Sequence, residues 1–434
     1  MSETLVGAVG LASLFVILAL RVPVGITLLT IGFFGIVTIS GWKAAMSTMT
    51  STAFSLSSNY SLMVIPMFLV MGNIATASGL SRKLFDAAYA WVGPFRGGLA
   101  SATVLGCASF AAVSGSSVAT AVTIGQVALP EMQRFKYLPK LATGVVAAGG
   151  TLGILIPPSA PFVVYALLTD QSIGRLFIAG ILPGLLLTAM FILTIMLLTW
   201  WQPEIAPPGP SISMVEKLRA VRGAGPLVGV IIISIGGIYL GVFTPVEASG
   251  VGAFCTAAIA LGGRLMPLRL VMPVLTESAR ATAMLFMIVI GASVFGPFLS
   301  LSRIPNVISE AMTGLNFGVT GTLIVILGVM VVLGTFLETF SMLVIAMPIF
   351  FPIITNLGID PIWFGVLIVV TVEMGLITPP VGLNVYVIKA LAPDVPMGMI
   401  FSGIVPFLIA ILVTLGILVA FPSISLWLPN SMFN

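Results

Sequence analysis

Twelve apolar runs follow one another along this chain, at 4–20, 23–40, 59–79, 98–128, 140–169, 175–201, 225–243, 245–263, 281–301, 318–350, 362–390 and 399–421. Most lie near the roughly 20 residues with which an α-helix crosses a bilayer. In lipid the backbone must satisfy its own polar groups, which leaves helices or a closed barrel. These runs are continuous and do not alternate with polar residues, so they read as helices. The fold class is therefore an all-α polytopic membrane protein, with a lipid bilayer as its surroundings. Charge agrees: 30 charged residues in 434 is 7%, against about 25% in soluble domains.

Several function classes fall away. The 17 Lys and Arg residues sit between apolar runs and not in patches with interleaved aromatics, so no nucleic acid is expected as a partner. There is no His, which removes Ser-His catalysis and the HExxH zinc motif. Cys107 and Cys255 lie inside apolar runs and imply neither a disulfide framework nor a metal site. No Walker A motif is present, so ATP hydrolysis by this chain is not expected. The first apolar run is long and merges with the second, unlike a cleavable signal peptide. The 22 Met residues are scattered and read as packing. No catalytic residue is assigned.

Two runs are too long for one crossing and too short for two. Run 98–128 is interrupted by Ser114-Gly115-Ser116-Ser117, and run 318–350 by Gly334-Thr335 and Glu338-Thr339. Each is expected to be a re-entrant hairpin with a polar tip at mid-membrane. Two other runs contain paired prolines, Pro157-Pro158 and Pro379-Pro380. Proline lacks the N–H that bonds the carbonyl four residues earlier. The carbonyls of Gly153 and Ile154, and of Gly375 and Leu376, are thus freed where they must face protein, water or a cation.

These breaks are 222 residues apart, and the offset extends further: Pro23 matches Pro245, Gly41 Gly263, Gly106 Gly328, Pro130 Pro352 and Pro139 Pro361. Five matched prolines occur in that window, where composition alone gives roughly 0.6. The chain is read as two repeats. The first, 1–201, holds spans in 4–79, the hairpin 98–128 and the broken helix 140–169. A cytoplasmic connector, 202–224, contains Pro203, Pro207, Pro208 and Pro210. The second, 225–434, holds spans in 225–301, the hairpin 318–350, the broken helix 362–390 and a last span at 399–421. If both hairpins return to their own side, 14 basic residues share one face and only Lys43, Arg175 and Arg303 lie on the other. The positive-inside rule makes the 14-residue face cytoplasmic and both termini periplasmic. Each repeat then crosses an odd number of times, which inverts the second relative to the first. Inverted repeats with broken helices at the midplane are a secondary-transporter architecture.

Two constellations follow. Ser114, Gly115 and Ser116 at the first tip, with Gly153, Ile156 and Pro158 at the first break, would form an uncharged oxygen cage suited to Na⁺; half-helix C-terminal ends add negative potential. Gly334, Thr335 and Glu338, with Gly375, Thr378 and Val381, form the second. The alternative is that the small residues only allow close helix packing. Glu338 and Glu373 are intramembrane acids and so functional candidates, the alternative being that they cap backbone N–H groups or pair locally. Glu247 reads as structural. Ser117, Thr120, Ser159, Thr339, Ser341 and Asn384 lie just past the tips and breaks, where half-helix N-termini favour an anion; interhelical hydrogen bonding is their alternative role. Arg303 at the outer mouth would attract anions or simply snorkel.

The residues Gly236–Ala248, GGIYLGVFTPVEA, resemble the GGIYxGxFTPTEA signature of the large membrane subunit of tripartite ATP-independent periplasmic (TRAP) transporters, with Val246 where Thr is usual. Gly150–Tyr165 and Glu373–Tyr386 resemble that family's two broken helices. The resemblance runs through nearly the whole chain. It implies a Na⁺-coupled symporter of the elevator type in the bacterial inner membrane, with two or more coupling ions and no organic cofactor. It implies a sodium site where each hairpin tip meets the opposite break. It also implies a separate small membrane subunit of four helices, a periplasmic substrate-binding protein, and a small carboxylate as substrate. Two rival readings are a stand-alone ion-coupled anion transporter of the same architecture and a channel-like subunit. The charge count sets a first test. A Lys136→Cys variant is expected to react with an impermeant maleimide only from the cytoplasmic side, and labelling from outside intact cells contradicts this topology.

Overall fold

The computed structural model describes residues 2–314 and 317–432, and among them every regular element is helical. The chain opens with α1 (Glu3–Ala19), α2 (Val24–Ser40), α3 (Trp42–Ser57), α4 (Val64–Ala77) and α5 (Leu80–Val92). Next come α6 (Gly98–Ser114) and α7 (Ser117–Arg134), which pack against each other across the Gly115-Ser116 turn. Then α8 (Pro139–Leu155) and α9 (Ala160–Thr169) bend by 42° at the proline pair, and α10 (Ile173–Trp201) follows. Beyond it lie α11 (Met214–Tyr239), α12 (Pro245–Gly262), α13 (Val271–Leu301) and α14 (Ile304–Gly314). The chain closes with α15 (Gly318–Gly334), α16 (Thr339–Asn356), α17 (Pro361–Ile377), α18 (Leu383–Leu391), α19 (Met397–Ala420) and α20 (Ser423–Ser431).

The helix bounds carry the 222-residue offset. Both ends of α7 and α16 keep it, as do both ends of α8 and α17. Packing is reciprocal: α2 lies on α13 and α12 on α4, which are equivalent pairs under the offset, as are α9 on α16 and α18 on α7. Two groups of helices result. One joins α1, α2 and α4 with α11, α12 and α13; the other joins α6 through α10 with α15 through α19. A partly buried hydrogen bond ties the halves of the second group, from the Tyr165 hydroxyl to the Pro361 carbonyl at 2.6 Å.

Seven described helices are long and apolar enough to cross a membrane, and the α8–α9 pair makes an eighth if counted as one span. They include α16, which the sequence assigns to the return arm of a hairpin. At 17 residues, α1 and α2 reach about 25 Å, short of a full hydrocarbon core.

The structure differs from expectation at the connector. Ser213 and Glu216 form a capping box that starts α11 at Met214, so the irregular part is 202–213 and not 202–224. Reciprocal satisfaction of two N-terminal amides is what makes such a start stable. Four helices outside the apolar runs, α3, α5, α14 and α20, also appear.

Close approach of small residues sets the α2–α13 crossing. A Cβ on Gly25 would lie 2.5 Å from the Met287 carbonyl oxygen, and one on Gly291 would strike the Gly25 carbonyl. Gly291→Ala is therefore expected to cost about 1–3 kcal/mol through overpacking. A lowered melting temperature for Gly291→Ala, beside an unchanged or raised one for Gly250→Ala, whose site inside α12 is open, checks this.

Candidate functional site

A cavity of about 230 Å³ separates the two groups of helices. Gly115, Ser116, Ser117 and Val118 of the first tip border it, with Glu338, Thr339 and Phe340 of the second. Ala160 and Pro161 open α9 onto it, and Leu383 opens α18. The opposite wall is Leu69 of α4 with Ala281, Met284, Leu285 and Ile288 of α13. Four helix N-termini thus meet at one hollow. Each presents backbone N–H groups and the positive end of a dipole. The starts of α9 and α18 have no side-chain cap, so they are free to receive an acceptor from outside.

The first tip and first break are in contact. Ser114 and Thr120 hydroxyls lie 2.9 Å apart, and Thr120 Oγ1 donates to the Ser116 carbonyl at 2.7 Å. Ser116 caps α7 by accepting from Ala119 N–H at 3.3 Å. A Cβ on Gly153 would collide with the Ser116 carbonyl, and one on Gly115 would lie 2.7 Å from the Pro158 carbonyl. Only glycine admits these approaches, and Gly115 also has φ +58°. A void of about 10 Å³ touches Ser114, Gly115, Pro158 and Ser159, room for roughly one water-sized species. The second tip meets its own break through bare backbone: a Cβ on Gly375 would lie 2.6 Å from Gly334 Cα. Thr335 and Thr378 sit at this contact and turn their hydroxyls to the Val332 and Met374 carbonyls, at 2.8 and 2.6 Å.

Two of the four carbonyls freed by proline are taken up internally. The Ser159 hydroxyl donates to Ile154 O, and Thr378 N–H donates to Gly375 O at 3.1 Å. Ile156 and Val381 are partly buried beside their breaks.

Of the six residues expected to face an anion, Ser117 and Thr339 border the cavity. Thr120, Ser159, Ser341 and Asn384 are not among its lining residues; each is buried, the first three bonded locally and Asn384 bonded across to α7. Asn384 Nδ2 donates to Ser117 Oγ at 2.7 Å, which ties α18 to α7. Ser341 donates its N–H and its hydroxyl to Glu338 Oε1, at 3.0 and 2.9 Å. Glu338 is therefore the N-cap of α16, in the position that Ser116 holds on α7. It also borders the cavity, whose lining holds no Lys or Arg. Ala281, Met284, Leu285 and Ile288 had no polar feature by which the sequence could single them out.

Glu373 is fully buried and both its carboxyl oxygens lack a hydrogen-bond partner, although the residue lies against the Ile154 backbone. A bare ionised carboxylate in such a place is strongly disfavoured. Glu247 caps α12 in a capping box with Thr244, as its structural reading requires. Arg303 is ion-paired to Glu3 at 3.0 Å. No group of three or more metal-ligating side chains occurs among the described residues.

Residues 11–424 match the family described as tripartite ATP-independent periplasmic transporter, DctM component. The chain belongs to this family. It is 43% identical over 378 residues to the C4-dicarboxylate TRAP transporter large permease protein DctM of Pseudomonas aeruginosa, covering 87% of this chain and 88% of that one. It is 30% identical over 424 residues to the ectoine TRAP transporter large permease protein TeaC of Halomonas elongata, covering 98% and 99%. Its fold is similar to that of the YdaH transporter of Alcanivorax borkumensis, with a TM-score of 0.67 at 16% identity over 89% and 90% of the two chains. The DctM component is thus a multi-pass membrane permease subunit and not an enzyme, and it works with a small membrane subunit and a substrate-binding protein.

Removing one partner of a buried hydrogen bond costs about 1–3 kcal/mol. Asn384→Ala strands Ser117 Oγ and is expected to lower the melting temperature, whereas Tyr386→Phe, on the exposed side of α18, leaves it unchanged.

Proposed function

We propose that this TRAP permease subunit is a Na⁺-coupled importer of a small carboxylate, which it receives from a periplasmic binding protein and moves by an elevator motion. The observation that carries this reading is the meeting of four helix N-termini at one cavity between two packed groups of helices. Such a hollow is suited to an oxyanion. Its place between the groups is where a substrate would ride if α6–α9 and α15–α18 slid past α2, α4, α12 and α13. In this reading the small membrane subunit has four spans, the complex lies in the inner membrane, and both termini are periplasmic. The halves 1–201 and 225–434 are inverted repeats.

Glu338 gives the coupling a physical cause. An anion beside that carboxylate, with no Lys or Arg in the lining, is repelled unless positive charge arrives with it. Na⁺ ions at the two contacts supply that charge: one among Ser114, Gly115, Ser116, Gly153, Ile156 and Pro158, the other among Gly334, Thr335, Glu338, Gly375, Thr378 and Val381. Thr120 fits the first ion site better than the substrate site, because its hydroxyl points at the Ser116 carbonyl.

Uptake into vesicles holding all three components is expected to stop when Na⁺ is replaced by choline. Ser116→Val and Thr378→Val are each expected to raise the Na⁺ concentration for half-maximal uptake about tenfold, the equivalent of about 1.4 kcal/mol for a lost oxygen ligand. An unchanged Na⁺ dependence in both variants contradicts the ion assignment. Undiminished uptake by this chain alone contradicts the tripartite reading.

A further inference from the structure

Four polar side chains border the cavity: Ser116, Ser117, Glu338 and Thr339. Three of them are not held as donors toward it. The Ser116 hydroxyl caps α7 by accepting from Ala119 N–H. Glu338, as a carboxylate, can only accept, and its Oε1 already receives Ser341. No hydrogen bond from a described residue fixes the Thr339 hydroxyl. Ser117 differs. Asn384 Nδ2 donates to its hydroxyl oxygen at 2.7 Å, and no other described residue bonds that side chain. A serine hydroxyl that accepts still has one hydrogen of its own to donate. Ser117 is buried except where it borders the cavity, so the cavity is the outlet left for that hydrogen. Beside it are the N–H groups of Ser117 and Val118, the first two of α7, which have no partner within the helix.

Asn384 does not border the cavity. It is fully buried in the first turn of α18, and its Oδ1 has no hydrogen-bond partner. The bond to Ser117 is thus the one hydrogen bond its side chain makes among the described residues. A buried oxygen left unpaired is costly, so packing alone does not favour an amide at this place. The 222-residue offset shows what packing alone accepts. Phe162 is the equivalent of Asn384, fully buried on α9, and Thr339 is the equivalent of Ser117. The α9 helix packs on α16 as α18 packs on α7. A phenyl ring has no N–H to offer Thr339, and the interface forms without one. The amide at 384 therefore serves a single hydroxyl, on the first tip only.

We propose that Asn384 is a positioning residue for transport: its amide fixes the Ser117 hydroxyl as the hydrogen-bond donor that the cavity presents to a substrate carboxylate. This rests on the oxyanion reading of the cavity given above. The Ser117 O–H joins the Ser117 and Val118 N–H groups, so the first tip gathers three donors for one charged acceptor, and hydrogen bonds to a charged group are the strong ones. The second tip has Glu338 and an unheld Thr339, and so no fixed side-chain donor. The carboxylate is held toward the first tip and away from Glu338.

The test is thiol labelling of the full chain in lipid nanodiscs, with Cys107→Ala and Cys255→Ala removing the native free thiols. Ser117→Cys and Thr339→Cys are each reacted with methyl methanethiosulfonate, which is small and uncharged. A donor to the sulfur favours the reactive thiolate, whereas an acceptor for its hydrogen opposes it. Adding Asn384→Leu is expected to slow labelling at position 117 about fivefold, the factor for one hydrogen bond, and to change position 339 by less than about twofold. Asn384→Asp keeps the shape and puts a carboxylate oxygen in place of the N–H. It is expected to slow position 117 at least as much, and it carries the comparison if the leucine variant does not fold. An unchanged or faster rate at position 117, or equal slowing at both positions, would overturn the proposal. The cavity reading is scored apart. In Na⁺ the anionic sulfonatoethyl reagent is expected to outrun the cationic trimethylammonium-ethyl one at both positions, and the opposite order would sink that reading and the proposal together.

Discussion

A helix in lipid has nowhere to place an unsatisfied backbone group, and this chain breaks its helices in the membrane at two matched positions. Pro157-Pro158 and Pro379-Pro380 each end a helix that could otherwise run on, and a second helix restarts within a few residues. The exposed ends must then be answered by something. The structure answers part of the demand internally, through Ser159 to Ile154 O and Thr378 N–H to Gly375 O. A hairpin tip also packs against each break, and a hollow lies at the restarted N-termini. The glycines at 115, 153, 334 and 375 are what let tip and break approach at backbone distance.

Both tips approach their breaks at backbone distance, and the two contacts are unlike in charge. Ser116 and Glu338 are equivalent positions and both cap the return arm of a hairpin. A serine caps without charge; a glutamate does so while placing a carboxylate on the cavity wall. That single difference puts the only carboxylate of the cavity lining at the second tip, which is the basis of the proposed cation requirement. Thr151 and Glu373 are a second unequal pair, and there the acid is buried without a hydrogen-bond partner. Both acids belong to the second half, so any electrostatic asymmetry between the tips comes from that half.

Much of the helix order was legible because proline and glycine act locally. Pro139 and Pro361 start α8 and α17, and the proline pairs end them, so those bounds follow from missing N–H groups alone. The interfacial helices were not legible as apolar runs. In α5 the buried Leu80, Leu84 and Phe85 alternate with Arg82, Lys83 and Asp86, which hides one apolar face from a search for continuous hydrophobicity. The direction of the small polar side chains was not legible either. Thr120 and Ser159 sit close to cavity-lining residues in sequence, yet they turn to carbonyls of the preceding turn or break, a choice set by the local backbone. The most family-specific stretch, Gly236–Ala248, proves to be the corner between α11 and α12, with Gly241 at φ +71° and the Thr244–Glu247 capping box.

Scarcity of charge ties these points together. With so few ionisable groups in the membrane, the field at the cavity is set by helix ends, by Glu338, and by whatever ions the tips hold. The most direct test is equilibrium binding of radioactive sodium to the purified chain in lipid nanodiscs. The account expects saturable binding of at least two ions per chain, and loss of that binding when Gly153→Ala and Gly375→Ala together push the tips off the breaks. Absence of saturable Na⁺ binding, or full binding in the double variant, would contradict it.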